Sequence, residues 1–280
     1  MHEPVLVNEV IKYLHIESGK KYIDATVGAG GHSAEILKAG GEVLGLDQDK
    51  NMLEIAQKNL ESLACPNFKL INTNFTKLTQ IATENGFEKV SGILFDLGLS
   101  SLHYQWDDRG FSFNHPGAPL DMRLNRDSGL TAADLLNSLR QDQLQQIFPK
   151  KLALKIVEFR KNKPFEKVVD FLEVCKVLPI KSSKNPATVA FMTLRIAVNS
   201  EFENLKESLP QALGLLTRGG RLAVISFHSE EEAIVRDKFS EFERQNLAEI
   251  LTKEGVKPGQ EELLTNPRAR SARLRVVEKL

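Results

Sequence analysis

The chain has 280 residues, 41% of them hydrophobic, with 37 Lys+Arg balanced by 37 Asp+Glu. That length can bury a full core and carry one domain plus an insertion, and the even balance gives no overall basic character to attract a polyanion. The two cysteines, Cys65 and Cys175, have neither metal-ligand spacing nor the makings of a disulfide framework. No apolar run approaches the ~18 residues of a membrane span, and the N-terminus lacks an apolar signal core, so a cytoplasmic setting without a membrane partner is expected.

Pro4 to Leu14 reads as a helix with Val7, Val10, Ile11 and Leu14 on one face. Strand and helix signals then alternate, with strands over 21–24, 42–47, 68–72 and 91–95 and helices over 32–39, 49–60 and 76–85. This alternation predicts a doubly wound α/β sheet. After Ser101 the rhythm changes. A stretch rich in Gly, Pro, Asp and aromatics, Trp106 to Met122, precedes patterns that are helical only. Thr131-Ala-Ala-Asp134 forms a capping box, and further helices read at 142–148, 150–161 and 165–178. The segment from Ser112 to Glu201 holds 14 Lys+Arg against 9 Asp+Glu, densest at Lys150, Lys151, Lys155, Arg160, Lys161, Lys163 and Lys167. Such a run is either a phosphate-binding face or a solvated helix surface. Strand character returns at Arg221 to Ser226, after the turn Arg218-Gly219-Gly220, and at Arg273 to Val277, expected as an antiparallel edge. The predicted organisation is a discontinuous α/β domain, 1–111 with 202–280, carrying an inserted all-helical domain, 112–201.

The strand ending in Ile23-Asp24 runs into Ala25-Thr-Val-Gly28-Ala-Gly30-Gly31-His32-Ser33, a glycine-rich turn opening a helix, where a backbone can approach an adenosyl cofactor. Ser33 occupies the third glycine position of a dinucleotide fingerprint, so the spacing suits S-adenosylmethionine better. Asp24 places a carboxylate where a pyrophosphate would be repelled and an ammonium welcomed. A side chain at Gly30 is expected to intrude on the adenosyl group. Asp47, at the tip of the second strand, can accept both hydroxyls of a ribose. Asp96 ends the fourth strand in Asp96-Leu-Gly-Leu-Ser-Ser101. Any one acid alone reads as a strand-end turn residue; three together place a crevice at the carboxyl edge of a parallel sheet.

An exocyclic base amine is a poor nucleophile because its lone pair is delocalised into the ring. An acceptor on its N–H lets the nitrogen pyramidalise toward a sulfonium methyl, and alignment supplies most of the remaining rate. The acceptor is Asp96 or a nearby carbonyl; otherwise Asp96 orients the cofactor. His228, in Ser226-Phe-His-Ser229, either contacts base or phosphate or buttresses the crevice. Arg268, Arg270, Arg273 and Arg275 read as phosphate contacts or as charges protecting an edge. Trp106, Phe111 and Phe113, beside Arg109 and Arg123, offer stacking surfaces for an extruded cytosine or form a hinge core.

The chain resembles the ribosomal small-subunit methyltransferase H family, also called MraW. The matching segments are His2-Glu-Pro-Val-Leu-Val-Asn-Glu9, Asp24 to Ser33, Phe95 to Ser101, Arg109-Gly-Phe-Ser-Phe113 and Pro119-Leu-Asp-Met-Arg123. They continue with Asn185-Pro-Ala-Thr188, Leu194-Arg-Ile-Ala-Val-Asn199, Gly219 to Ser229 and Asn266-Pro-Arg-Ala-Arg-Ser271. The resemblance implies a Rossmann-like class I S-adenosylmethionine-dependent methyltransferase sheet and transfer of methyl to N4 of a cytosine in the decoding centre of 16S rRNA. It implies cofactor contacts at Gly30, Gly31, His32, Asp47, Phe75, Asp96 and, where the family has Gln, His103. It also implies that the inserted helical domain helps to cradle the RNA; read chemically, the candidate catalytic residues are Asp96 and His228 and the candidate RNA contacts Arg109, Arg123, Arg195, Arg268 and Arg270. The partner implied is 16S rRNA in the small ribosomal subunit; a homodimer is left open. Departures fall at Asn185 to Val189, Ser229-Glu-Glu-Glu-Ala233 and Phe148-Pro-Lys150, removing two arginines and a histidine from the RNA side. They leave open another RNA or protein amine as substrate, or a non-catalytic rRNA-binding assembly factor.

Overall fold

A computed structural model describes residues 4–106, 108–127, 129–179 and 186–280. Asn185 and the opening residues of the His2-Glu-Pro run lie outside the described residues. The chain divides into two compact units, Met1–Gly98 with Phe202–Leu280, and Leu99–Glu201. In chain order the helices are α1 (Val7–Leu14), α2 (Gly31–Lys38), α3 (Lys50–Glu61) and α4 (Leu78–Glu84); then α5 (Ser101–Gln105), α6 (Ala132–Ser138), α7 (Gln141–Ile147), α8 (Lys150–Asn162), α9 (Val168–Cys175) and α10 (Ala187–Asn199); and finally α11 (Glu201–Leu215), α12 (Ser229–Arg244) and α13 (Gln260–Thr265). The strands are β1 (Lys21–Asp24), β2 (Glu42–Asp47), β3 (Phe68–Asn72), β4 (Val90–Asp96), β5 (Leu216–Ser226), β6 (Ala248–Ile250) and β7 (Arg273–Lys279).

The first unit is built on one sheet with strand order β3-β2-β1-β4-β5-β7-β6. The first five strands are parallel, and β7 runs antiparallel to both β5 and β6. Both faces are covered, as a parallel sheet requires. Successive strand residues point to opposite sides. Ile23, Leu44, Ile93 and Phe95 therefore join Leu209 and Phe239 in one apolar layer. Tyr22, Val43, Leu94 and Ile225 join Val10, Leu14 and Ile36 in the other.

The helical unit has its own core, in which Leu120, Leu136, Leu144, Leu152, Ile156, Phe165, Phe171 and Leu194 are buried. The Thr131/Asp134 capping box opens α6. Leu99 and Phe111, expected with the sheet domain, are buried in this helical core, so the first crossover falls at Gly98/Leu99 instead of after Phe111.

Three further expectations are corrected. The C-terminal strand β7 is not an edge, because β6, too short to declare itself by alternation, pairs outside it. The turn at Arg218 to Gly220 lies inside β5: Leu216 pairs with Val90 and Arg221 with Gly92, so the residues between loop out, with Gly219 at φ 77°. Helix α9 begins only at Val168, because Lys167 is extended and bridges Pro119, while the Asp170 carboxylate accepts from the Glu166 and Lys167 amides.

Candidate active site

The strand order reverses between β1 and β4: the chain leaves β1 toward β2 and leaves β4 toward β5. A crevice opens beyond the carboxyl ends of strands at such a point. Asp24, Asp47 and Asp96 end β1, β2 and β4 there. Beyond β1 the Ala25 amide donates to Leu94 O at 2.9 Å and the Val27 amide to Leu46 O at 2.8 Å, so the loop starts tied to both neighbouring strands. Gly28 N–H then donates to Asp47 Oδ2 at 2.9 Å, while Asp47 Oδ1 accepts from Asp49 N–H at 2.8 Å. Asp47 thus braces the glycine loop at this edge of the sheet.

Gly30 is the N-cap of α2 and has φ 86°, a left-handed conformation that a side chain strains. A Cβ there would meet Leu60 Cγ at 3.2 Å, on the protein side of the loop. The expected intrusion on an adenosyl group is therefore corrected: Gly30 permits the turn and its packing on α3. At Gly31 a Cβ would approach Pro4 Cγ to 2.9 Å, which locks α2 against the N-terminal segment. What both glycines leave to a ligand is backbone.

Asp24 is only 1% exposed. Its Oδ2 accepts from Ser33 Oγ at 2.7 Å and its Oδ1 from Thr26 N–H at 3.3 Å, so it is a brace inside the loop and not a surface for an ammonium. Burial raises its pKa, against the lowering influence of His32 and of these hydrogen bonds. His32, 4% exposed, lies under Asp96 with Nε2 3.5 Å from Oδ2. Among the described residues, both ring nitrogens and Asp96 Oδ1 are buried without a hydrogen-bond partner. Burial works against the imidazolium, but Asp96 first, then Asp24 and Glu262, raise the His32 pKa above its ordinary value. The Asp96 side chain keeps 22% of its surface exposed, and its backbone N–H donates to Thr26 Oγ1 at 2.6 Å. Phe75 meets Phe95 edge-on at 5.4 Å beside the crevice. Thr26 and Ser33 carry bonds that spacing did not single out; a hydroxyl two residues after a strand-end acid was the available signal.

His228 follows β5 at the same sheet edge, since Ile225 pairs with Asp96, while the expected RNA-side arginines are divided between the two units. His228 caps α12, with its Nε2 2.9 Å from Glu231 Oε1, which supports a buttress at the end of β5. Arg268 is half-buried and Arg270 exposed, both in the short 3-10 turn Pro267–Ser271. Arg273 Nη1 donates to Glu254 O, and Arg275 is buried against Glu232 at 2.7 Å, so Arg275 is no phosphate contact.

Within the helical unit, His103 Nδ1 accepts from Ser100 N–H at 3.1 Å and the ring packs on Trp106 and Phe111. Phe111 is buried and no open stacking surface, whereas Phe113, edge-on to Phe191, and Trp106, covered by the Arg109 guanidinium at 4.9 Å, are half-buried. Two RNA-side expectations are corrected by burial. Arg109 is 1% exposed, and Arg195, 8% exposed, is held bidentately by Glu201 at 2.8 Å. Arg123 makes a similar fork with Asp121 at 2.8 and 2.9 Å.

The backbone loop, the acid at Asp47 and the part-exposed Asp96 carboxylate fit an adenosyl donor with a cationic sulfur, and the loop from Ala25 to Gly31 carries neither a lysine nor an arginine for a phosphate. Residues 1–280 match the family model described as the MraW methylase family. The protein named Ribosomal RNA small subunit methyltransferase H from Dictyoglomus thermophilum is 43% identical, the alignment covering 100% of this chain and 97% of that protein. Its namesake from Carboxydothermus hydrogenoformans is 38% identical over 100% of this chain and 98% of its own. A solved structure of a candidate rRNA-methylase from Clostridium thermocellum superposes over 100% of both chains with a TM-score of 0.51 at 13% identity, a likeness of fold.

Proposed function

The chain belongs to the MraW methylase family, and we propose that it transfers a methyl group from S-adenosylmethionine to the exocyclic N4 of a cytosine in 16S rRNA of the small ribosomal subunit, in the cytoplasm. When bound, S-adenosylmethionine supplies an already activated sulfonium methyl, so the protein must add alignment and a place for a proton. The loop from Ala25 to Gly31 offers backbone to the donor and Asp47 accepts from its ribose hydroxyls. Asp96 accepts an N–H of the target amine, keeping the nitrogen lone pair directed at the methyl. The observation that carries the reading is the Asp96 carboxylate at the strand-order reversal, part exposed and with one oxygen that no described residue satisfies.

The relatives' shared name supports ribosomal RNA as substrate. Phosphate contacts then fall to cations on the surface. In the helical unit Lys150, Lys151 and Lys161 are exposed on α8, and in the sheet unit Arg270 is exposed. Lys150 and Lys151 open α8 with no acid in its first turn, a placement the helix dipole disfavours and a nearby phosphate would offset. One observation favours a second reading, methylation of a different RNA or protein amine: Val189, where the resembling family carries arginine, is 62% exposed.

The test is incubation of the purified protein with methyl-labelled donor and either small or large ribosomal subunits. Label entering small-subunit RNA alone, and lost in Asp96→Asn, is the expected outcome. Label entering a ribosomal protein or no ribosomal component would reject this substrate.

A further inference from the structure

His32 occupies a costly position. It sits in the first turn of α2, whose positive end disfavours a second positive charge, and its ring is 4% exposed. Among the described residues neither ring nitrogen makes a hydrogen bond. The nearest acceptor, Asp96 Oδ2, is at 3.5 Å, beyond the ~3.2 Å of a normal N–H···O bond. A buried polar group without partners is more expensive than an apolar one of the same shape, so packing does not account for a histidine here. Hydrogen bonds used in catalysis are often long in the free protein and tighten when substrate is engaged.

We propose that His32 is a positioning residue for methyl transfer, fixing the Asp96 carboxylate as the acceptor of the target amine's proton. The proposal rests on the methyl-transfer reading of Asp96. As the amine engages Asp96 through Oδ2, since Oδ1 is buried, the His32 Nε2–H closes on the same oxygen from the protein side and holds the carboxylate plane. The bond formed is N–CH3. The bond broken is the donor's S–C bond, whose electron pair leaves with sulfur as a neutral thioether. The nitrogen then gives one N–H proton to Asp96, that bond's electron pair remaining on nitrogen, and Asp96 returns the proton to water through its exposed side. The titratable groups acting on His32 are Asp96 from β4, Asp24 from β1 and Glu262 from α13, all acids that favour a protonated ring.

The experiment is single-turnover methyl transfer to small subunits at saturating donor, with donor affinity measured separately by titration calorimetry. It compares wild type, His32→Ala and His32→Gln. At saturating donor, alanine should lower the rate constant about tenfold to a hundredfold, the scale of losing a positioned group, whatever change calorimetry finds in the donor Kd. Glutamine retains an N–H at the Nε2 position, so it should recover most of the rate. Should the alanine variant not fold, the glutamine variant alone keeps the test alive: a glutamine rate far below wild type overturns the proposal. So does an alanine variant whose loss lies wholly in donor Kd, or a glutamine variant as slow as alanine. An active wild type with an unaffected alanine variant overturns this proposal alone, whereas a wild type that methylates no subunit overturns the reading beneath it.

Discussion

Nε2 of His32 stands 3.5 Å from Oδ2 of Asp96, joining the first turn of α2 to the tip of β4 where the strand order reverses. Behind the pair, Asp24 is held by Ser33 and Thr26, so the acid that ends β1 fixes the loop while the acid that ends β4 keeps an accessible side. Two carboxylates of the same type thus differ in both burial and partners.

The pair makes stability depend on pH. The folded-state pKa of His32 is raised: burial lowers it, but Asp96, Asp24 and Glu262 more than compensate. A raised histidine stabilises fully below its unfolded pKa of ~6.5, and that contribution is lost as pH rises through the folded value. Thermal unfolding followed from about pH 6 upward should show a falling midpoint, and His32→Gln should flatten the fall. Identical slopes in the two proteins would mean that the histidine is not charged in the folded state.

Much of this was legible in advance, for identifiable reasons. Strands buried on both faces write continuous apolar runs such as Val43-Leu44-Gly45-Leu46, and the acids closing them are visible at fixed positions. What a side chain does after folding was not visible. Asp24 and Asp96 look alike in sequence, and only the fold turns one toward Ser33 and leaves the other part exposed. Arg109 and Arg195 look like surface cations, yet one is stacked on Trp106 and the other forked by Glu201, near neighbours in the chain whose contacts are buried in the helical unit. The edge was misassigned because β6 spans only Ala248–Ile250, too few residues for alternation to register.

Asp47→Ala removes a carboxylate that accepts from both Gly28 and Asp49 amides. Donor binding should weaken by about 1–3 kcal/mol, the range for hydrogen bonds to a charged group. Titration calorimetry with S-adenosylmethionine reads the change directly. An unaltered dissociation constant would take Asp47 out of the site.

For Gly30→Val, the contacts change the reason for an expected loss. The new side chain would strain a residue at φ 86° and press on Leu60, so folding stability should fall by more than about 1 kcal/mol together with binding. A thermal melt separates the two effects. Weaker binding with an unshifted melting temperature would place the side chain in the ligand space after all.

Charge reversal at Lys150 and Lys151, or at Arg270, should weaken RNA binding and leave donor affinity unchanged. Each lost phosphate contact should flatten the slope of log K against log salt by roughly 0.7–0.9. Filter binding of 16S rRNA at several salt concentrations gives that slope. The same slope in wild type and both variants would move the RNA surface elsewhere.

The central claim is the identity of the methylated atom. Nucleoside mass spectrometry of 16S rRNA from cells with and without this gene tests it most directly, with purified protein and S-adenosylmethionine added back to deficient small subunits. The account predicts that an N4-methylated cytidine is depleted without the gene, returns on addition of wild-type protein, and does not return with Asp96→Asn. An unchanged content of N4-methylated cytidine in the deficient rRNA, or the return of a methyl group on another nucleoside, would contradict it.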